Sequence, residues 1–421
     1  MRILWITNTL FPEPSIALAL PVPVVGGWMY GLAENLVAKK GLSLAVATVY
    51  NGDVLKRLDL NGILYYMLPC KMQTSYQKRL ESIWKDIIYS FKPHIIHIHG
   101  TEYQHGLSCM RACSKEKYVI SMQGLIGVYA RYYYAGLTAK DIIKHITIRD
   151  ILRRDTVFHG KNNYTERGIY EQEYFKRTEN VIGRTTWDHA HAKVINATAT
   201  YHQCNEILRK SFYDAPKWDC NKKNKYSIFL SQASYPIKGL HQVLKAIALI
   251  AKKFPQIKLR VAGHSIINNT TLLDRLKING YGSYISKLIK ALNLCDRIVF
   301  TGSLTEKDMI REYLDAHLFI CSSSIENSPN SIGEAQILGV PTIGSYVGGI
   351  PDMITHGETG LLYRFEEVEI LAENITRIFT DYKLSIHMSK QEIKEAERRH
   401  SRIANCDQTI NIYKNIISNN A

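Results

Sequence analysis

Long apolar runs are missing from this chain of 421 residues. No segment reaches the roughly 18 consecutive apolar residues that a membrane-spanning helix needs. The most apolar stretch, residues 16–25, contains Pro21 and Pro23. The apolar start at residues 2–7 is broken at Asn8 before it reaches the length of a secretion signal. The sequence therefore predicts a cytoplasmic protein rather than an integral membrane protein or a secreted one.

Residue groups that would bind a metal ion are also scarce. Cys109 and Cys113 lie close together, but no second pair with the spacing of a metal site follows them. Glu306 and Asp308 have the spacing of a metal-binding acidic pair, yet they fall within a predicted helix. We therefore expect no bound metal, so lysines and helix ends would have to neutralise any phosphate.

Negative charge is in deficit, because 53 lysines and arginines outnumber 38 aspartates and glutamates and give a net charge of +15. Such a balance suits anionic partners, which include nucleic acid, a membrane surface and phosphorylated ligands. Nucleic acid is the least favoured of the three, since the positive charge is diffuse and no known nucleic-acid-binding module is present.

Apolar runs typical of buried strands alternate with segments of helical periodicity through most of the chain. This alternation indicates an α/β protein with parallel sheets covered on both faces. It is interrupted at residues 211–225, where proline, asparagine and lysine accumulate, and then it resumes. We therefore predict two tandem Rossmann-like, doubly wound domains facing a cleft, residues 1–212 and residues 213–385. A helical tail, residues 386–421, follows them.

Residues 129–177 depart from this alternation because tyrosines are mixed there with many lysines and arginines. Within them, Ile142, Ile143 and Ile146 can share one face of a helix while basic residues occupy the others. Basic amphipathic helices with tyrosines suit a membrane interface. A solvated helix that covers the sheet is the alternative.

Two lone carboxylates, Glu326 and Glu334, flank a turn in residues 322–335. Glu326 follows a predicted strand, at the position where open parallel sheets bind ligands. Ser331 and Glu334 have the spacing of a helix capping box, which would account for Glu334 but not for Glu326. Asn330 and Ser331 would open a helix whose first amides attract an anion. The stretch therefore suits a sugar joined to a phosphate.

Three other loops carry candidate ligands. Lys238 ends the loop SQASYPIKG and is placed to hold a phosphate, although a solvated surface lysine is the alternative. Gly26 and Gly27 permit close approach of a ligand to the backbone, but the dinucleotide pattern GxGxxG is absent. His97 and His99 end a predicted buried strand, and both catalytic and structural roles are open for them.

Glu326 and Glu334 resemble the E-x7-E motif of the retaining family-four glycosyltransferases. The resemblance continues through residues 333–363, and weaker agreement, including the early Gly-Gly pair and HIIHIHG, covers nearly the whole chain. It implies a GT-B fold whose C-terminal domain binds a nucleotide-sugar donor and whose N-terminal domain binds most of the acceptor. It also implies that the last helix returns to the first domain.

The resemblance implies a role for each matching residue. Glu326 would contact the hydroxyls of the donor sugar, Glu334 the ribose, and Lys238 the diphosphate. Gly26 and Gly27 would let the first domain approach the diphosphate. The start of the following helix would complete the donor site through two further residues, Asn330 and Ser331.

Two positions depart from the family pattern. Ala233 stands where the family usually has an arginine, and Gln123 stands where it usually has a histidine that ends a strand. Gln123 can still donate hydrogen bonds to a sugar, and His99 joins it as a candidate catalytic residue. Arg184 is the candidate that would restore the missing charge from across the cleft, unless it pairs with Asp188 on its own helix.

The resulting expectation is a retaining, metal-independent hexosyltransferase without a cofactor, which uses a UDP- or GDP-linked sugar as co-substrate. The acceptor would be a glycan or lipid-linked oligosaccharide of cell-surface polysaccharide biosynthesis, met at the inner face of the cytoplasmic membrane through peripheral contact. A glycoside hydrolase with a carboxylate pair is one alternative. A catalytically idle homologue that binds nucleotide or scaffolds a synthase complex is another, and Ala233 and Gln123 keep it open.

Overall fold

The computed structural model describes residues 1–23, 26–70, 76–267 and 277–418. Its first sheet has the strand order β3-β4-β2-β1-β5-β6-β7-β8, and neighbours are parallel except for the antiparallel pair β3 and β4. The strands are β1 (Arg2–Thr7), β2 (Ser43–Tyr50), β3 (Lys56–Leu60), β4 (Ile63–Pro69), β5 (Ile95–His99), β6 (Tyr118–Ser121), β7 (Asn180–Gly183) and β8 (Thr200–Gln203). The chain reverses its winding direction between β1 and β5.

The second sheet is parallel throughout and has the order β11-β10-β9-β12-β13-β14. Its strands are β9 (Ser227–Leu230), β10 (Lys258–Val261), β11 (Ile298–Phe300), β12 (Leu318–Cys321), β13 (Thr342–Ser345) and β14 (Leu361–Tyr363). This is the doubly wound order 3-2-1-4-5-6, in which the winding reverses between the first and fourth strands, here β9 and β12. The predicted α/β class with two doubly wound sheets is therefore confirmed.

Helices connect and cover both sheets. Those before residue 214 are α1 (Pro12–Ala17), α2 (Gly27–Val37), α3 (Leu80–Phe91), α4 (His105–Ala112), α5 (Ile126–Tyr129), α6 (Ala139–Lys144), α7 (Ile148–Arg153), α8 (Val157–Arg177), α9 (Thr186–Ile195) and α10 (Lys210–Tyr213). Those after it are α11 (Leu240–Ile250), α12 (Gly280–Ala291), α13 (Glu306–Asp315), α14 (Asn330–Leu338), α15 (Val368–Thr380), α16 (Tyr382–Arg399) and α17 (Arg402–Ser418). Within the described ranges, none is long and apolar enough to cross a bilayer.

The chain forms two compact units whose limits differ in part from the predicted ones. The first unit contains residues 1–128, residues 164–210 and the chain from Arg399 onward. The second contains residues 129–163 and 211–398. The main boundary thus lies at 210/211, where 212/213 was expected. The tail returns to the first unit at Arg399 instead of at residue 386, and the segment 129–163 belongs to the second unit.

Buried hydrogen bonds explain where the tail divides. In α16, the Glu392 carboxylate accepts from the Thr342 amide at 2.9 Å, which ties this helix to the second sheet. In α17, the Tyr413 hydroxyl accepts from Trp5 Nε1 at 2.9 Å and lies 2.6 Å from His97 Nδ1. The other ring nitrogen of His97 lies 2.7 Å from Ser121 Oγ. His97 is therefore a structural histidine that joins the tail to the first sheet.

The segment 129–163 is held on the second unit by contacts that sequence periodicity does not reveal. The Ala135 carbonyl lies 2.8 Å from His241 Nε2, and Thr147 Oγ1 donates to the Ile278 carbonyl at 3.0 Å. Leu137 and Ile142 are buried in the core of the same unit. The prediction that Ile142 and Ile143 share one apolar face is wrong, since Ile142 points into this core and Ile143 is exposed.

We predict that Gly168→Ala destabilises the first unit. A Cβ atom at Gly168 would lie 2.4 Å from the Cα atom of Gly127, so backbone would have to move. The expected loss is about 1 to 3 kcal/mol or more of unfolding free energy, measured by urea denaturation. Ile169→Ala, at an exposed neighbouring position, is the control and should change stability by less than about 0.5 kcal/mol. Equal stability of the two variants would contradict the close packing of these helices.

Candidate functional site

Two loops meet where the second sheet reverses its winding. The loop after β9 ends in a tight turn at Pro236–Lys238, and the loop after β12 spans residues 322–329. Gly239 lies between the turn and α11 with φ +71°, and a Cβ atom there would lie 1.8 Å from the Ser322 carbonyl oxygen. Ser322 Oγ also donates to the Lys238 carbonyl at 2.8 Å. Only glycine permits this close approach of the two loops.

Lys238 and Glu326, predicted from separate stretches, form a salt bridge across these loops. Lys238 Nζ lies 2.5 Å from Glu326 Oε1, and both side chains are mostly buried. Ser323 Oγ donates to the same carboxylate oxygen at 2.9 Å. Burial lowers the pKa of the Lys238 ammonium, but the Glu326 carboxylate outweighs this effect and the pKa lies above its ordinary value. A fixed positive charge therefore lies at the carboxyl ends of β9 and β12.

The helix α14 begins beside this pair. Its N-cap residue is Pro329, so Asn330 and Ser331 both lie within its first turn. The capping-box interpretation of Ser331 and Glu334 is therefore wrong, because the helix starts before Ser331. Glu334 lies one turn further along α14, and its side chain is buried. Glu326 and Glu334 therefore lie in one continuous segment, in which the loop after β12 leads into the first turn of α14.

The glycines of residues 345–350 support the Glu326 loop from the other side. The Gly349 amide donates to the Glu326 carbonyl at 3.0 Å. A Cβ atom at Gly348, where φ is +53°, would lie 1.8 Å from the same oxygen.

Ala233, at the position where the family usually has an arginine, is buried in the core of the second unit. The loop after β9 therefore contributes the positive charge of Lys238, and position 233 adds no second charge to it.

The first unit has a cavity at its own winding reversal, where β1 and β5 end. Its volume is about 520 Å³. Three of the predicted site residues line it: Gly26, His99 and Gln123. The aromatic side chain of Trp28 and the polar side chains of Asn8 and Glu102 are among the other lining groups. The cavity thus combines an aromatic wall with several hydrogen-bonding groups.

His99 is the most deeply buried polar group of this cavity. It is 2% exposed, and neither of its ring nitrogens has a hydrogen-bond partner in the part of the chain that the structure describes. Its ring lies 3.8 Å from that of His97 and 4.3 Å from that of Trp5, measured between centroids. Burial holds the pKa of His99 well below its ordinary value, so the imidazole is neutral. A neutral imidazole can both donate and accept a hydrogen bond.

Glu102 is a cavity residue that sequence reasoning missed. Asn8 Nδ2 donates to Glu102 Oε2 at 2.5 Å. Burial raises the pKa of Glu102 to about 7, although Arg167 and Arg184 lower it in part. The sequence signal that could have found it is its place in the loop after the strand that ends at His99, as Glu326 lies in the loop after β12. Its charge therefore changes near neutral pH.

Gly26 and Gly27 lie at the start of α2, as predicted. Gly26 is the N-cap residue and has φ +81°, a left-handed backbone that favours glycine. A Cβ atom there would lie 3.2 Å from Met29 and Thr9. Gly26 therefore serves the turn itself, and the predicted approach of a diphosphate to Gly26 and Gly27 stays a prediction.

Arg184 is buried in the first unit, with 4% of its surface exposed. Its guanidinium forms a salt bridge with Glu206 and donates to the Met122 carbonyl. Asp188, the expected alternative partner, instead accepts the Arg184 backbone amide at 3.0 Å. A role for Arg184 against a diphosphate stays a prediction, and it would require the guanidinium to leave Glu206.

Known proteins match parts of this chain by sequence and nearly the whole chain by fold. Residues 213–395 match the family model described as glycosyl transferases group 1. N-acetyl-alpha-D-glucosaminyl L-malate synthase of Bacillus anthracis is 33% identical over 108 residues, 25% of this chain and 28% of that protein. D-inositol 3-phosphate glycosyltransferase of Corynebacterium glutamicum is 27% identical over 187 residues, 44% of this chain and 42% of that protein. The matches span about half or less of the length of these curated relatives.

Solved structures extend the likeness to nearly every residue. Sucrose-phosphate synthase of Thermosynechococcus elongatus has a TM-score of 0.72 and 16% identity, with 99% of both chains covered. HepE of Anabaena in complex with UDP-glucose has a TM-score of 0.63 and 13% identity, with 98% of this chain and 99% of that chain covered. At these identities the likeness establishes the fold. Residues 213–395 therefore resemble the glycosyl transferases group 1 family, and the chain as a whole has the GT-B fold of its structural neighbours.

Proposed function

We propose that this protein is a retaining glycosyltransferase that moves a hexose from a nucleotide-sugar donor to a glycan or lipid-linked oligosaccharide. The pathway we assign is cell-surface polysaccharide biosynthesis, with peripheral contact at the inner face of the cytoplasmic membrane. The observation that carries the proposal is the buried pair of Lys238 and Glu326 at the winding reversal of a group 1 domain. Ligands of doubly wound sheets bind at this point.

The donor diphosphate is assigned to Lys238 and the first turn of α14. A diphosphate offers the Lys238 ammonium more negative charge than the single carboxylate that it now contacts. The amides of Asn330 and Ser331, at the positive end of the helix dipole, add attraction for the anion. Release of Lys238 would leave the Glu326 carboxylate free to accept hydrogen bonds from the sugar hydroxyls. Glu334 would accept from the ribose hydroxyls.

A UDP-linked donor is favoured over a GDP-linked one. HepE, whose fold this chain shares, has been crystallised with UDP and with UDP-glucose. We therefore assign UDP as the leaving group, with GDP as the alternative that binding measurements distinguish.

The proposed transfer needs no metal and no protein nucleophile. The acceptor hydroxyl attacks the anomeric carbon on the face from which the nucleotide diphosphate departs, and its proton passes to the departing diphosphate oxygen. The configuration is therefore retained. Negative charge grows on the diphosphate as the glycosidic bond to it breaks. Lys238, which the bound diphosphate draws away from Glu326 before the reaction, stabilises this charge and so lowers the barrier.

The cavity of the first unit is assigned to the acceptor. Its volume of about 520 Å³ suits a sugar-sized group, and Trp28 offers an aromatic surface for the apolar face of a sugar ring. His99, Glu102 and Gln123 provide donors and acceptors for hydroxyl groups. A catalytically idle homologue is the rival proposal, favoured by the burial of Ala233 where the second diphosphate charge was expected.

The first prediction concerns the nucleotide. Calorimetric titration should detect binding of UDP more strongly than GDP, and Glu334→Ala should weaken UDP binding by roughly 10- to 100-fold. A hydrogen bond to a charged group is worth about 1.5 to 3 kcal/mol, which corresponds to this range. Glu373→Ala, an exposed glutamate of the same unit, is the control and should leave binding unchanged. Failure of both nucleotides to bind at millimolar concentration would remove the donor assignment.

The second prediction separates transfer from binding. Lys238→Met should lower kcat roughly 100- to 1,000-fold, because the developing diphosphate charge loses its fixed cation. This variant leaves Glu326 buried without its partner, so the double variant Lys238→Met/Glu326→Gln controls for misfolding and should melt near the wild-type temperature while remaining slow. Lys252→Ala, at an exposed lysine of the same unit, is the control and should keep the wild-type kcat. Wild-type kcat in the folded double variant would refute the role of Lys238.

The third prediction uses the pKa of Glu102, which burial raises to about 7. The ionised carboxylate accepts stronger hydrogen bonds from acceptor hydroxyls than the neutral acid does. The KM for the acceptor should therefore rise as the pH falls from about 8 to about 6. Glu102→Gln, which can still accept from Asn8, should flatten this profile, whereas Glu166→Gln on the exposed face of α8 should keep it. An unchanged profile in Glu102→Gln would exclude the carboxyl as its source.

A further inference from the structure

Four large aliphatic side chains stand exposed within ten consecutive residues of the second unit. Their exposed fractions are 61% for Ile143, 70% for Ile148, 64% for Ile151 and 79% for Leu152. Single exposed aliphatic residues are common on protein surfaces, but several close together mark an interaction site. They lie on α6 and α7, two helices of six residues each.

These helices are held firmly, so the exposed side chains form a preformed surface. Both helices begin with a capping box, through Thr138 with Asp141 and through Thr147 with Asp150. The ring of His145 packs on that of Tyr284 with 5.3 Å between centroids. The core side of the segment is thus occupied by its own unit, and the four aliphatic residues point away from that core.

Unpaired cations surround the aliphatic residues. Lys140, Lys144, Arg153 and Arg154 are exposed, and none of them forms an ion pair within the described ranges. The acidic groups of the segment are already engaged, since Asp141 and Asp150 complete the capping boxes and Asp155 pairs with Arg149 at 2.8 Å. The surface that remains is aliphatic and positively charged.

We propose that residues 139–154, hereafter the docking surface, bind the second unit to an anionic phospholipid bilayer. The aliphatic side chains enter the boundary between headgroups and acyl chains, and the four cations meet lipid phosphates. Each helix is too short to cross a bilayer, so the contact is interfacial. The inference deepens the proposed function, on which it rests for a lipid-linked acceptor, by naming the membrane-binding surface.

Charge complementarity favours a bilayer over a second copy of the chain. A symmetric dimer through the docking surface would place the four cations of one copy against the same four of the other. An anionic bilayer instead offers a phosphate for each cation and an apolar interior for each aliphatic side chain.

The docking surface is joined to the candidate donor loop within the second unit. Ser324 Oγ, two residues before Glu326, donates to the Tyr132 carbonyl at 3.1 Å. The Ala135 carbonyl contacts His241 at the start of α11, the helix that follows Lys238. The segment that carries the docking surface therefore borders the loops assigned to the nucleotide sugar, so bilayer contact and donor binding belong to the same unit.

Vesicle flotation of the full chain tests the proposal. Wild-type protein should float with vesicles in which about a third of the phosphatidylcholine is replaced by phosphatidylglycerol, and it should not float with pure phosphatidylcholine. Binding should weaken between about 0.1 M and about 0.5 M sodium chloride. Two double variants, Ile151→Ser/Leu152→Ser and Lys144→Glu/Arg153→Glu, should each reduce binding by roughly tenfold or more. The matched control, Val194→Ser/Ile403→Ser, removes exposed aliphatic side chains elsewhere and should bind like wild type.

Three outcomes would overturn the proposal. They are the absence of wild-type flotation, equal flotation with both lipid compositions, and wild-type binding by both surface variants. If the wild-type protein dimerises and does not float, and Ile151→Ser/Leu152→Ser abolishes dimerisation, the surface would instead bind a second copy of the chain. Calorimetric titration with UDP separates this proposal from the donor assignment, because the surface variants should keep wild-type UDP affinity and melting temperature. If the wild-type protein floats but does not bind UDP, and the surface variants lose flotation, the result would support the docking surface and refute the transferase.

Discussion

The salt bridge between Lys238 and Glu326 is the interaction on which the account of the second unit depends. It forms because the doubly wound strand order brings the loops after β9 and β12 together, and because Gly239 leaves room for the Ser322 carbonyl. Burying such a pair costs desolvation, so a salt bridge of this kind is weak evidence for stability. Its value is that a cation and a carboxylate are both held at the ligand-binding edge of the sheet before any ligand arrives.

The two units use the same topological feature with different chemistry. In the second unit, the winding reversal carries a permanent cation and a helix N-terminus, which suit a diphosphate. In the first unit, the reversal carries a neutral imidazole, a carboxyl group that titrates near neutrality and an aromatic wall. These groups suit an uncharged polyol. The division of chemistry between the units follows from the side chains at the end of β5 and in the loops after β5, β9 and β12.

Sequence patterns predicted the fold class and most of the candidate residues, since hydrophobic periodicity and strand ends are local features. Lys238 and Glu326 were each predicted, but their pairing depends on two loops far apart in the chain. Glu102 was missed although it follows a strand, because its raised pKa arises from tertiary burial, which no local pattern encodes. The capping box at Ser331 failed for a local reason, namely that Pro329 serves as N-cap and starts the helix earlier. The segment 129–163 was assigned to the wrong unit because its docking depends on tertiary contacts such as Thr147 to Ile278.

A crystal structure of the protein with UDP tests the central claim most directly. The account predicts a diphosphate in the second unit, within about 3 Å of Lys238 Nζ and of the first amides of α14. It also predicts that Lys238 has moved from Glu326 towards the phosphates and that the ribose hydroxyls donate to Glu334. A diphosphate bound elsewhere, with the salt bridge between Lys238 and Glu326 unchanged, would contradict the account.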